Sequence, residues 1–105
     1  MPFVVDTIEV EPEKLSLYLD AVQEVGVPVM TDAGAVFVSC AATSAEIGED
    51  VDVQIVWSFD DHGHWNGIRR NLVLDPRWYE YAARTAALRT GGTRRFYYLV
   101  ALSSS

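Results

Sequence analysis

The densest group of side chains able to do chemistry lies at residues 60–65. His62 and His64, the only two histidines of the chain, are two residues apart and are flanked by Asp60, Asp61 and Trp65. An imidazole titrates at about pH 6.5, so it can give or take a proton near neutral pH. We therefore predict that His64, assisted by His62, is the principal proton-transfer group. The alternative is a solvated loop of polar turn residues.

The same histidines are only a weak signal for a metal site. A zinc centre needs a third and usually a fourth ligand, which here only Asp60, Asp61 or the distant Cys40 could supply. The glycines fit no phosphate loop or dinucleotide fingerprint, and no serine stands in a recognisable nucleophile elbow. We expect neither a metal nor a cofactor.

Asp6 is a second candidate because it interrupts an otherwise apolar strand. Alternation places it on the same side as Val4, Ile8 and Val10. If that side faces a cavity, the carboxylate could exchange a proton with a ligand; if it faces solvent at a sheet edge, it has no role. Tyr97 is a third proton-transfer candidate.

Four further residues are predicted to contact a substrate. Gln54 on the third strand offers an amide for hydrogen bonds, and Trp65 offers an aromatic surface. Cys40, the only cysteine, can form no internal disulfide and is expected to pack as a small apolar group. Arg69 belongs to a cluster of arginines in the second half of the chain, where a local anion contact is conceivable.

The composition fits one globular domain. The 105 residues are half hydrophobic, and we assign residues 1–102 to the domain and Ser103–Ser105 to a disordered tail. A net charge of −7 disfavours nucleic acid as a partner, because that binding depends on neutralising phosphates. Neither a signal peptide nor a membrane span is indicated. We expect a cytoplasmic protein.

The order of elements is predicted to be β-α-β-β-α-β. Residues 3–10 and 35–43 are typical of strands, and the alternation at 51–59 is the clearest period-two pattern. Apolar steps of three and four predict a helix from Glu13 to Gly26. Residues 60–67 are predicted as a loop or broken helix start before a short helical piece at 68–73. Asp75 and Pro76 open a second helix that stops at Gly91 and Gly92, and residues 95–102 form the last strand.

This order predicts an α+β, ferredoxin-like fold, with a four-stranded antiparallel sheet and helices on one face. Trp57 and Trp78 are expected to pack the third strand against the second helix. Strands one, two and four, however, carry apolar residues on both faces, and two helices cover only one. We therefore predict a homodimer in which two sheets pack face to face.

Three segments resemble a known family. The sequence VWSFD at 56–60, followed by a polar stretch and DPRW at 75–78, is similar to the NIPSNAP pattern within the dimeric α+β barrel superfamily. EPEKL at 11–15 resembles that family's Pro-Gly-Lys turn, with Glu13 in place of the glycine. The resemblance implies a dimer with a cavity on each sheet. Relatives in the superfamily include cofactor-free monooxygenases, polyketide cyclases, lactone isomerases, haem-degrading enzymes and proteins without assigned activity, so the fold alone does not give a function.

Two functions stay open at this point. The first is a cofactor-independent enzyme that binds a hydrophobic, aromatic or polyketide-like molecule and performs cyclisation, isomerisation or oxygenation by proton transfer. The second is a non-catalytic dimeric binding or interaction module. A cavity lined by Asp6, Gln54, Tyr97 or His64 would favour the first, and a cavity filled by its own side chains would favour the second.

Overall fold

The sheet has four strands in the order β2-β3-β1-β4, and every neighbouring pair is antiparallel. The computed structural model describes residues 2–44 and 48–102. The predicted tail at 103–105, and part of the polar loop that precedes β3, lie outside the described residues. The strands are β1 Pro2–Val10, β2 Val36–Ala42, β3 Val51–Ser58 and β4 Arg89–Tyr98.

The helices cover one face of this sheet. A 3-10 turn at Pro12–Lys14 leads into α1 Leu15–Ala21, and a π-helical segment at Val22–Gly26 joins α1 to α2 Val27–Ala33. Helices α3 His62–Val73 and α4 Pro76–Ala86 lie between β3 and β4 in the chain. The predicted α+β, ferredoxin-like class is confirmed.

The first helical region runs past its predicted end at Gly26. It continues to Ala33 and stops at Gly34, whose φ of 117° is the left-handed conformation typical of a helix C-cap. The N–H of Val27 donates to the carbonyl of Val22, five residues back, as in a π-helix. This widened turn leaves Pro28 at the start of a new α segment, where its missing N–H costs little.

The segment at 60–67, predicted as a loop or broken helix start, is helical from His62 onward and continuous with the predicted helical piece at 68–73. The carboxylate of Asp61 accepts a hydrogen bond from the backbone N–H of His64 at 2.8 Å, so α3 begins at His62. An N-cap of this kind contributes about 1 kcal/mol, which offsets the helix cost of a glycine. The start of α4 is as predicted, since Asp75 accepts from the N–H of Arg77 and Pro76 is the first helical residue.

Gly91 and Gly92 do not end a helix, because α4 stops at Ala86 and both glycines lie inside β4. A Cβ on Gly91 would meet Glu9 Oε2 at 2.8 Å, and one on Gly92 would meet Ile8 Cδ1 at 2.9 Å. The close approach of β1 side chains therefore explains both glycines. Strand β4 ends at Tyr98, earlier than predicted.

The two faces of the sheet differ in burial. The helix-covered face carries the buried side chains Val4, Ile8, Val10, Val51, Val53, Ile55 and Trp57, in agreement with the period-two prediction for β3. The open face carries Phe3, Val5 and Val56, which are half-buried, and Tyr97, which is 47% exposed. The open face is apolar toward the end of the sheet that carries Val5 and Val56, and polar toward the end that carries Glu9 and Asp52. The face-to-face homodimer stays a prediction.

Candidate functional site

A cavity of 340 Å³ lies between the helix-covered face of the sheet and the helices. Its floor comes from β1, β3 and β4, and its walls come from α1, α2 and α4. The lining residues are Asp6, Ile8, Tyr18, Met30, Ile55, Trp57, Trp78, Tyr81, Ala82, Thr85, Arg89, Gly92, Thr93 and Arg94. Four of them are aromatic, so the cavity offers broad apolar surfaces together with a few polar groups.

The cavity opens between β4 and α4. Its deep residues, such as Met30 and Ile55, are almost fully buried, whereas Ala82 and Thr93 on the β4 side are exposed. Strand β4 is an edge strand, so no further strand from residues 2–44 or 48–102 closes that side. A small molecule can therefore enter along the edge of the sheet.

Asp6 and Arg94 form a bidentate ion pair in the cavity lining. Arg94 Nε lies 2.6 Å from Asp6 Oδ1, and Arg94 Nη2 lies 2.9 Å from Asp6 Oδ2. The Asp6 side chain is 15% exposed and that of Arg94 is 37% exposed. The guanidinium also lies 5.3 Å from the ring centroid of Trp65, within the range of a cation–π contact. These contacts fix the orientation of the carboxylate.

Two tyrosines meet across the cavity wall. Tyr18 on α1 and Tyr81 on α4 both line the cavity, and each phenol influences the pKa of the other. Burial raises the pKa of both phenols, and their proximity raises that of Tyr81 further. Both hydroxyls therefore stay protonated at neutral pH and can donate a hydrogen bond.

Two donors in the lining have no protein acceptor within the described part of the chain. The indole N–H of Trp57 is buried and unpaired, although the residue is only 3% exposed. Arg89 forms no ion pair with a described carboxylate. Both groups can bind a ligand without breaking a contact of the protein.

The predicted histidines lie outside this cavity. The Nδ1 of His64 accepts a hydrogen bond from the backbone N–H of Asp60 at 2.8 Å, so the ring packs at the start of α3. The Nε2 of His62 lies 2.8 Å from the hydroxyl of Tyr98. Neither ring is brought next to Asp6 in the cavity lining. A role for His64 in proton transfer stays a prediction.

The remaining predicted residues are dispersed. Gln54 and Tyr97 lie on the open face, opposite Thr7 and Phe3 of β1 respectively. Cys40 is an exposed residue of the edge strand β2, and desolvation raises its pKa, which favours the thiol.

Arg69 lines a shallow groove on the outside of α3, together with Arg70. Trp65 is buried beneath Arg94 and does not itself line the cavity. Of the eight predicted site residues, the structure thus places only Asp6 in the lining.

Several lining residues were missed as functional residues. Tyr18, Trp78 and Tyr81 stand in the apolar helical stripes, where their spacing is that of ordinary packing residues. Arg94 was missed because the last strand was predicted to begin after it. Arg94 lies directly opposite Asp6 in the sheet. A correct start for the last strand would have given this pairing and so identified Arg94.

Two negative findings concern the described residues, 2–44 and 48–102. They contain no group of three His, Cys, Asp or Glu side chains placed to hold a metal ion. None of their helices is long and apolar enough to cross a membrane.

Solved structures of other proteins have the same fold as this chain. A NIPSNAP domain protein from Burkholderia xenovorans is 21% identical with a TM-score of 0.82, and each chain is covered completely. A NIPSNAP family protein from Agrobacterium tumefaciens is 21% identical with a TM-score of 0.78, over 99% of this chain and 98% of the other.

A more distant structure is that of SnoaB, a cofactor-independent oxygenase from Streptomyces nogalater, which is 14% identical with a TM-score of 0.59 over 99% of this chain and 97% of the other. No curated protein matches the sequence. The NIPSNAP family model matches residues 5–104, and the resemblance found in the sequence is confirmed. The chain belongs to the NIPSNAP family.

Proposed function

We propose that the protein is a small cofactor-independent enzyme that binds an aromatic small molecule in the cavity between helices and sheet and moves a proton on it. The observation that carries this proposal is the position of Asp6. Its carboxylate is largely buried, is held in one orientation by Arg94, and lines a cavity with aromatic walls. A positioned acid or base of this kind is the minimum that proton transfer requires.

Asp6 is the proposed base. An arginine that binds both carboxylate oxygens leaves further lone pairs on them, so the carboxylate can still accept a proton from an acidic C–H or O–H group. The electron pair stays on the substrate as an enolate or phenolate, and the neutral hydroxyls of Tyr18 and Tyr81 can donate to its oxygen. Return of the proton to another atom completes an isomerisation; attack of the enolate on a carbonyl gives a cyclisation, and its reaction with O₂ gives an oxygenation.

The volume of the cavity limits the substrate. At 340 Å³ it stands at the lower end of the range of about 300–1,000 Å³ for small-molecule sites. A molecule with one or two rings fits this space, and the similarity in fold to a cofactor-independent oxygenase is consistent with such chemistry.

A second candidate function is a non-catalytic dimeric ligand-binding or interaction module. The observation in its favour is that Asp6, the carboxylate of the lining, is already bound through both oxygens by Arg94. In either function we propose a homodimer formed through the open face of the sheet, which carries Phe3, Val5, Val56 and Tyr97. A stable pair would bury about 1,200 Å² or more.

Ketonisation of enol-phenylpyruvate tests the proposal. This small aromatic acid needs one proton removed from its enol oxygen and one added to carbon, with no oxidant or reductant, and the loss of ultraviolet absorbance follows the reaction. Asp6→Asn should lower the protein-catalysed rate by about 10²–10⁴-fold. Asp52→Asn is the matched control, because Asp52 is on β3 but lies on the open face, opposite Glu9.

Three outcomes separate the candidates. Loss of rate in Asp6→Asn with full rate in Asp52→Asn supports the enzyme. Saturable binding of phenylpyruvate without any acceleration supports the binding module. Equal acceleration by the wild-type protein and Asp6→Asn would reject Asp6 as the base.

A further inference from the structure

We infer that the cavity selects ligands that carry a negatively charged group, namely aromatic carboxylates, and that Arg89 is the residue that binds the carboxylate. The inference rests on the proposed function, because it concerns the same cavity and names the class of molecule that enters it. The first support is the charge balance of the lining. Its charged residues are Asp6, Arg89 and Arg94, and Asp6 neutralises only Arg94.

Four arginines form no ion pair with a described carboxylate, and among Arg69, Arg70, Arg89 and Arg95 only Arg89 lines the cavity. Fifteen acidic residues stand against eight basic ones, and other arginines form ion pairs: Arg77 with Asp32 and Asp75, and Arg84 with Glu24. Arg89 forms none with the carboxylates in the described ranges. A positive charge left in a cavity lining, on a protein with a net charge of −7, is a local site for an anion.

The local structure directs Arg89 toward the cavity. Its Nη1 lies 3.7 Å from the position that a Cβ on Gly92 would occupy, and that same position lies 2.9 Å from Ile8 Cδ1 on the helix-covered face. The guanidinium of Arg89 therefore lies beside Gly92, on the side of β4 that carries Ile8 Cδ1. The charge of Arg89 also acts on the phenols of Tyr18 and Tyr81, whose pKa it lowers against the larger effect of burial.

A second donor extends the site inward. Trp57 is buried, lines the cavity, and keeps an indole N–H without an acceptor in the described part of the chain. An indole nitrogen only donates, and a buried donor without a partner costs free energy that a ligand oxygen would recover. The combination favours a flat molecule with a carboxylate near Arg89 at the mouth and an acceptor atom deeper in the cavity.

The test compares two probes of nearly the same shape, 3-phenylpropionate and 3-phenylpropionamide, titrated into the protein and followed by tryptophan fluorescence. The carboxylate should bind about 10- to 100-fold more tightly than the amide, because hydrogen bonds to charged groups are the stronger ones. Arg89→Gln should remove that preference. Arg70→Gln, which changes net charge equally on the outside of α3, should keep it.

Asp6→Asn distinguishes this inference from the proposed reaction. It should abolish ketonisation and yet bind 3-phenylpropionate at least as tightly as the wild-type protein, because it frees Arg94. A wild-type protein that prefers the carboxylate but does not accelerate ketonisation would reject the enzyme and keep the anion site. Equal binding of the two probes, a preference that survives Arg89→Gln, or no binding of either probe at millimolar concentration would overturn the anion site.

Discussion

Gly26→Ala is a sharp test of how the two helical layers meet. Gly26 has φ −60° and ψ −52°, an ordinary helical conformation that alanine adopts without strain. An added Cβ, however, would lie 2.8 Å from Tyr81 Cζ and 2.9 Å from its Cε1. Restoring a contact of 3.4 Å requires the ring to move by about 0.6 Å, although Tyr81 is half-buried and packs on Trp78.

The expected loss follows from two opposing effects. Overpacking costs about 1–3 kcal/mol, and replacing a helical glycine by alanine returns about 0.5–1 kcal/mol. We expect a net loss of about 1–2 kcal/mol in the free energy of unfolding. Gly67→Ala in α3 is the matched control, because no atom lies within 4 Å of its added Cβ, and it should gain about 0.5–1 kcal/mol.

Urea unfolding of the two variants measures the difference. With a slope of about 1–3 kcal/mol per molar urea, a gap of about 2 kcal/mol separates the midpoints by about 1 M. Gly26→Ala should also weaken ligand binding, because it displaces a cavity wall. A Gly26→Ala protein as stable as Gly67→Ala would refute the close packing of α4 on the π segment.

Four further predictions concern the cavity, the core and the dimer. The free energy of unfolding should fall above pH 10.0, because tyrosine ionises there in the unfolded chain while the raised pKa keeps Tyr81 protonated in the folded one. In urea titrations at alkaline pH, the Tyr81→Phe variant should lose less of its free energy of unfolding than the wild-type protein. Trp57→Ala should cost about 3–5 kcal/mol in the same assay, and unchanged stability would contradict its place in the core. The wild-type protein should sediment at roughly twice 11.7 kDa, and Val56→Glu on the open face should give the single mass. A His62/His64 double alanine variant should keep its ketonisation activity if the cavity carboxylate is the base. Loss of that activity in the variant would assign the proton transfer to His64 assisted by His62.

The parts of the fold that the sequence predicts well are those where one physical signal dominates. Strand β3 alternates because one face is buried and the other is open, so its apolar set at Val51, Val53, Ile55 and Trp57 is visible directly. The start of α4 is equally clear, since Asp75 caps the helix and Pro76 takes its first position. Such local signals need no knowledge of the partner element.

The errors share one cause. From one sequence, a glycine is interpreted as the end of a helix. In this fold, however, Gly26 lies against the ring of Tyr81, and Gly91 and Gly92 lie against side chains of β1. The neighbour that requires the missing Cβ is distant in the chain, so periodicity cannot reveal it. The same limit applies to the site: Asp6 is conspicuous as a charge within an apolar strand, whereas its partner Arg94 is 88 residues away.

The π segment at Val22–Gly26 has a consequence for how the length of this chain can vary. A wide turn of this kind holds one residue more than an α turn, and each α-helical residue contributes 100° of rotation and about 1.5 Å of rise. Deleting one residue there would give a regular helix but would rotate α1 against α2 and carry Tyr18 out of the cavity wall. Homologues that keep the cavity should therefore show no single-residue gap in this segment, while a change in length at the exposed residues 48–50 should leave the cavity intact.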